Sequence, residues 1–369
     1  MREVTTTAQR PSIEVETENV SPRDRVARRY ALKSAIVAGG VIAVVVASVI
    51  GILAGTAGAG VGDVLQTLWG RLTGTVSPEN QQLQTIIWEL RVPRVSLAVL
   101  GGIALAVAGT IFQGLLRNPL VSPYTLGIAP AAAFGASLSI IILGGTTSSS
   151  GFTLVFGALA AALINTAIVL ALASTKQLDA TTLILLGIAL TQLFNALTAG
   201  LQYFTDDEVL AAIVRWTWGS VNGAVWYQVV TLLILLVVLL PYVQYRTGAL
   251  NAIAFAGDDA ARSLGVPVTQ VRLHLIIIAA ILTAVTIAFT GIIGFVGLVG
   301  PHIARLIIGG NHRFLLPFSA AIGALLLVVA DTLGRIFLSP AVIPVGIIDA
   351  IIGAPIFIYL VLTRRKALV

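Results

Sequence analysis

The chain has 369 residues, of which 57% are hydrophobic and only 10% charged, and its mean hydropathy is +0.98. Soluble domains carry about 25% charged residues, so this composition excludes a soluble fold and specifies an all-α polytopic membrane protein. The absence of Cys excludes disulfides and thiolate chemistry, and the formal charge of +6 is informative through its distribution, not as a sign of nucleic-acid binding.

Residues 1–33 are polar, with Glu14, Glu16 and Glu18 followed by Arg23, Arg25, Arg28, Arg29 and Lys33. They read as a disordered cytoplasmic tail ending in a basic anchor. The apolar run after it, 34–55, is too long for the core of a signal peptide. Residues 34–369 form one transmembrane domain. Its apolar runs fall at 34–55, 92–114, 123–144, 152–174, 181–203, 226–245, 272–291, 293–309, 314–337 and 343–363. Each approaches the ~20 residues needed to span a bilayer, so about ten transmembrane helices are expected. The stretch 272–309 is too long for one span and is divided at Gly291–Gly294. With both termini cytoplasmic, only Arg71, Arg91, Arg94, Arg215 and Arg335 of the 22 Lys and Arg fall outside. That asymmetry is the positive-inside pattern of a multi-pass cytoplasmic-membrane protein.

Two polar segments interrupt the runs. Outside, VGDVLQTLWGRL within 56–91 has an amphipathic pattern. Inside, 246–271 holds a candidate short helix. Gly257 with Asp258 and Asp259 would start it, and Ala260, Ala261 and Leu264 give it an apolar face. Arg262 is polar, and Gly265 with Pro267 would end it. Such a helix suits docking of a cytoplasmic partner; a helix lying on lipid headgroups is the competing reading. The stretch GIIGFVGLVGPHIAR, 291–305, has four glycines before Pro301, His302 and Arg305. It predicts a broken helix, close-packed beside the docking segment. Ala106, Gly109 and Pro119 recur as Ala288, Gly291 and Pro301, which raises the possibility of an inverted repeat.

No catalytic centre emerges. The lysines are Lys33, Lys176 and Lys366, and none follows a Gly, so a P-loop is absent. His302 beside Pro301 reads as a packed residue. The outer arginines Arg91, Arg94 and Arg335 suit bidentate capture of a partner's carboxylates, or snorkelling to headgroups. Arg335 follows Asp331 by four residues and should share its helix face. Asp349 lies within the last span, where a charge is costly and marks a functional candidate.

These residues sit within motifs that resemble the FecCD permeases, the membrane subunits of type II ABC importers for iron-siderophores, haem and vitamin B12. The motifs are RVPR (91–94), GTIFQGLLRNPLVSPYTLGI (109–128), WGS (218–220), AGDDAARSLGV (256–266), IGFVGLVGPHIARLIIG (293–309), LLPFSAAIGALLLVVADTLGR (315–335) and IPVGIIDAIIGAPIFIYLVL (343–362). The resemblance implies a permease of ten helices that pairs with a second permease, identical or paralogous. It implies two ATP-binding subunits on the cytoplasmic side, which hold the ATP and Mg, and an external substrate-binding protein. It places ATPase coupling on Gly257, Asp258, Asp259, Arg262, Leu264 and Gly265. It places binding-protein docking on Arg91, Arg94 and Arg335. It places a translocation gate on Asn118, Leu120, Ala180 and Thr181. This chain departs from the pattern at Val342, where relatives carry Glu, and at Asp349, where they carry a small neutral residue.

The expected function is therefore translocation in an ATP-driven importer, with a ferric siderophore or related metal chelate as cargo, haem and corrinoids being alternatives. The chain itself needs no cofactor and holds no enzyme activity. A competing class is an ion-coupled secondary transporter or channel with Asp349, Asp331 or His302 on the ion path. The two differ in whether a cytoplasmic docking helix is needed.

Overall fold

The computed structural model describes residues 21–54, 60–74, 81–142, 151–175, 178–338 and 341–363. All regular structure among them is helical. In chain order the helices are α1 (Pro22–Leu53), α2 (Val61–Thr73), α3 (Gln81–Thr85), α4 (Val92–Leu115), α5 (Ile128–Ile142), α6 (Gly151–Ser174) and α7 (Ala180–Tyr203). They continue with α8 (Asp207–Thr217), α9 (Trp226–Tyr245), α10 (Thr247–Ser263), α11 (Val268–Thr290), α12 (Val296–Ile308), α13 (His312–Ile336) and α14 (Val345–Thr363). A wider π turn, Ile86–Arg91, runs α3 into α4. Among the described residues seven helices are long and apolar enough to cross a membrane, and three shorter apolar stretches accompany them at Ile128–Ile142, Val296–Ile308 and Val345–Tyr359. Each of the ten apolar runs read from the sequence has a helix, and the chain is a polytopic membrane protein.

α4 is the centre. Almost all of its residues are buried, and it packs against α13, α11, α12, α9 and α1. Lipid gives apolar helices no hydrophobic reason to associate, so close backbone approach must supply the contact. Small residues permit it. A Cβ on Gly102 would overlap the Gly323 carbonyl of α13, and one on Gly109 would overlap the Gly297 carbonyl of α12.

Several expectations are corrected. The basic stretch before Ser34 is not a disordered tail: α1 begins at Pro22, with the Ser21 hydroxyl accepting the Asp24 N–H at 3.2 Å. Residues 1–20 and the basic C-terminal residues 364–366 lie outside the described residues. Of the glycines in 291–305, Gly297 and Gly300 pack on α4, Gly297 also meets Pro123, and Gly291 meets Trp216 and Gly219; none has the docking segment as its nearest neighbour. The proposed repeat does not match in local structure. Gly109 is inside a helix whereas Gly291 has φ +70° in a break, and Pro119 is in a turn whereas Pro301 is inside α12.

Candidate functional site

The segment expected on the cytoplasmic side is helical from Thr247, ten residues earlier than expected, and it breaks where the docking helix was predicted to start. Gly257 has φ +82° and ψ 174°, an essentially glycine-only conformation that costs an L-residue about 1–3 kcal/mol. Its missing side chain also matters, because a Cβ there would lie 3.0 Å from Nη1 of Arg117. A second arm runs to Ser263, and Gly265 at φ +80° ends it. The two aspartates of this arm have different surroundings. Asp259 is fully exposed and pairs with Arg262 at 3.0 Å. Asp258 turns inward, where both carboxylate oxygens accept from Arg272 of α11, at 2.8 and 2.9 Å. Leu264 is 72% exposed at the end of the arm.

Arg272 is the residue that sequence reasoning missed. It is 1% exposed and is the largest fully buried side chain. Besides Asp258 it donates to the Leu178 carbonyl at 3.0 Å and the Leu115 carbonyl at 3.3 Å. Leu115 ends α4 and leads into the turn of Asn118 and Leu120, whose backbone N–H donates to Asn118 Oδ1 at 2.9 Å. Leu178 immediately precedes Asp179, which caps α7 by accepting the Thr182 N–H at 3.1 Å. Ala180 and Thr181 form the first turn of α7. One guanidinium thus joins the predicted coupling arm to both predicted gate turns. The available signal was a cation entering an apolar run, which carries a functional presumption at membrane depth.

The three outer arginines also gather at one place, but their guanidinium groups have internal partners. Arg91 and Arg94 are buried. Arg91 donates to the carbonyls of Ile52 and Leu53. Arg335 donates to those of Ala54 and Gly51, at 2.8 and 2.7 Å. These carbonyls belong to the end of α1 and to the residue after it, where no helical donor remains for them. Asp331 lies between Arg94 at 2.8 Å and Arg335 at 3.2 Å, and Arg94 also reaches Asn222 Oδ1 at 2.8 Å. The expected i, i+4 pair of Asp331 and Arg335 is present. An arginine presented freely for a docking partner is not what these three positions show.

The break between α11 and α12 is held by side chains. The Tyr124 hydroxyl accepts the Ile293 N–H at 2.9 Å and donates to the Ile293 carbonyl. Asp349 Oδ2 accepts the Phe295 N–H at 2.9 Å. Residues 292–294 lie between the helices, and these side chains give backbone groups at the break partners that lipid could not. Asp349 therefore has a structural partner. His302 packs edge-on to Phe357, and His312 Nδ1 meets Asn251 Oδ1 at 2.7 Å. Val342 borders a cleft of 610 Å³ with Trp216, Trp218, Tyr227 and Asn222.

A buried multi-helix bundle with a kinked interhelical arm tied to two loop turns is the arrangement of a membrane permease. The FecCD transport family model matches residues 42–363, and the chain belongs to that family. The hemin transport system permease protein HmuU of Yersinia pestis is 39% identical over 304 residues, covering 82% of this chain and 88% of that protein. The Fe(3+)-citrate import system permease protein YfmE of Bacillus subtilis is 40% identical over 284 residues, covering 76% and 83%. A solved structure described as "An inward-facing conformation of a putative metal-chelate type ABC transporter" superposes with a TM-score of 0.77 at 32% identity, covering 89% of this chain and 99% of that one.

Proposed function

We propose that this chain is the translocation subunit of an ATP-driven importer whose cargo is a ferric siderophore or related iron chelate. The cargo class rests on relatives named for hemin and Fe(3+)-citrate transport. All ten apolar helices cross the cytoplasmic membrane, with both termini inside. A second permease completes the pathway, two ATP-binding subunits dock on the cytoplasmic face with their ATP and Mg, and an external binding protein delivers the cargo.

The observation that carries this reading is the four-bond environment of Arg272. An ATPase closing against the exposed face of the coupling arm, formed by Asp259, Arg262, Leu264 and Gly265, displaces Asp258. Gly257 is the hinge. Arg272 then transmits the displacement to the Asn118–Leu120 and Ala180–Thr181 turns, which alternately close and open the inner end of the pathway. On the outer face, a binding protein's carboxylates would compete for Arg91 and Arg335 with the carbonyls at the end of α1, and for Arg94 with Asp331 and Asn222. The ion-coupled alternative loses support from Asp349, whose carboxylate is occupied by the Phe295 N–H.

The test is reconstitution. The chain, assembled with its cognate ATPase and binding protein in proteoliposomes, is expected to import the iron chelate only with ATP. Import driven by an ion gradient without ATP would contradict the proposal.

A further inference from the structure

A second site lies between two helices that pack on α4. α9 and α13 both pack on α4, and between them is a groove of 610 Å³. Its size falls within the ~300–1,000 Å³ of ligand clefts. Leu100 and Ile103 of α4 are the floor, and Leu233, Val237, Leu316 and Pro317 are in the walls. Gln244 is the one polar residue of its lining. Pro317 has no N–H, so the Arg313 carbonyl lacks its intrahelical donor. Gln244 Nε2 supplies the bond at 3.0 Å and thereby bridges α9 to α13 at one end of the groove.

That end is basic. Arg313 precedes Pro317 by one helical turn, so it stands on the groove side of α13 at the mouth, and it is exposed. Its guanidinium lies over the Tyr30 ring of α1 at 5.7 Å, and Tyr30 packs edge-on against Phe314 at 5.2 Å. Lys33 lies 5.8 Å from the same Phe314 ring. These contacts bring the basic first turns of α1, with Arg25, Arg28 and Arg29, to the same end. Neither Lys33 nor Arg313 has an ion-pair partner among the described residues.

We propose that this groove is a binding site for one anionic phospholipid, with an acyl chain between α9 and α13 and its phosphate against Arg313 and Lys33. The apolar length and the unpaired cations at one end match the two halves of such a lipid. A zwitterionic lipid shares the chain but lacks the net negative charge, so selection rests on the two cations. On the proposed topology, with the N-terminus inside, the headgroup lies in the cytoplasmic leaflet.

The test uses the full chain in phosphatidylcholine nanodiscs doped with phosphatidylglycerol bearing an acyl-chain diazirine, with adducts mapped after photolysis. Adducts are expected to concentrate on residues 233–244 and 313–320, and unlabelled phosphatidylglycerol should displace them where phosphatidylcholine does not. Neutralising each cation, in Lys33→Gln and Arg313→Gln, should lower labelling about fivefold, the effect of one juxtamembrane charge. Ala320→Trp, which fills the groove without changing charge, should abolish adducts on both helices. Even labelling of all lipid-facing helices, equal displacement by the two lipids, or a second copy or the N-terminal residues cross-linked in the groove would overturn the proposal.

Discussion

Arg272 grips Asp258 through two parallel hydrogen bonds of 2.8 and 2.9 Å across the bend between α10 and α11. The neighbouring Asp259 has no such tether and stands fully exposed beside Arg262. Two adjacent carboxylates therefore have separable roles. Asp258→Asn should destabilise the chain by about 2 kcal/mol, in the range for a hydrogen bond to a charged group. Asp259→Asn should change stability by under about 0.5 kcal/mol, since exposed ion pairs contribute little. Thermal unfolding in detergent separates them, and equal effects would remove the distinction.

Gly257→Ala puts a side chain on a backbone of φ +82° and ψ 174° and brings its Cβ close to Arg117. A cost of about 1–3 kcal/mol is expected from the backbone alone. The loss should be local, so the measurement is amide exchange across 250–266, which should accelerate while α4 stays protected.

Gly109→Ala should be far more damaging than its size suggests. The new methyl group meets the Gly297 carbonyl, and two packed helices must separate, with overpacking costs of about 1–3 kcal/mol or more. Gly39→Ala is the control. Nothing lies within 4 Å of a Cβ there, and within α1 the substitution should stabilise by about 1 kcal/mol. Paired melting curves of the two variants decide.

Asp349→Asn keeps an oxygen that can accept the Phe295 N–H, whereas Asp349→Ala leaves that N–H without its partner. Transport is expected to survive the first and fall sharply in the second, with a stability loss of about 1–3 kcal/mol. Loss of transport in Asp349→Asn with normal stability would instead favour an ion site.

Arg94→Gln leaves Asp331 with one partner in a buried setting. Breaking such a pair costs about 3–5 kcal/mol, so the variant should express poorly or melt early. If Arg94 instead served only a docking partner, its melting point would match the parent and the loss would appear as weaker, salt-sensitive binding of that partner.

Much of the architecture was legible because lipid imposes a strong rule on sequence. Each apolar run has its helix, and the division at Gly291 was visible from the spacing of glycines. The start of the coupling arm was visible from Gly257 and its end from Gly265. Three-dimensional neighbours were not. Arg272 stands fourteen residues after Asp258, but its other acceptors lie 94 and 157 residues away, and no local pattern marks a backbone carbonyl as an acceptor. The arginines at 91, 94 and 335 looked free for the same reason. Arg91 and Arg335 donate to carbonyls at the end of α1, which any sequence would carry, and Arg94 reaches Asp331 and Asn222, which lie 237 and 128 residues away. α8 went unrecognised because an eleven-residue amphipathic helix lacks the length of a span. The glycines of 291–305 showed that something approaches closely, but only the fold identifies it as α4 at Gly297 and Gly300 and as the Trp216–Gly219 turn at Gly291.

The most direct test of the account is the number of ATP molecules hydrolysed per iron chelate imported, measured in proteoliposomes carrying the complete importer with Arg272→Met. The account predicts an assembled complex that still hydrolyses ATP but imports little, so the ratio rises steeply, while Arg272→Lys, which can still pair with Asp258, recovers part of the import. An unchanged ratio in Arg272→Met, with normal import, would contradict it.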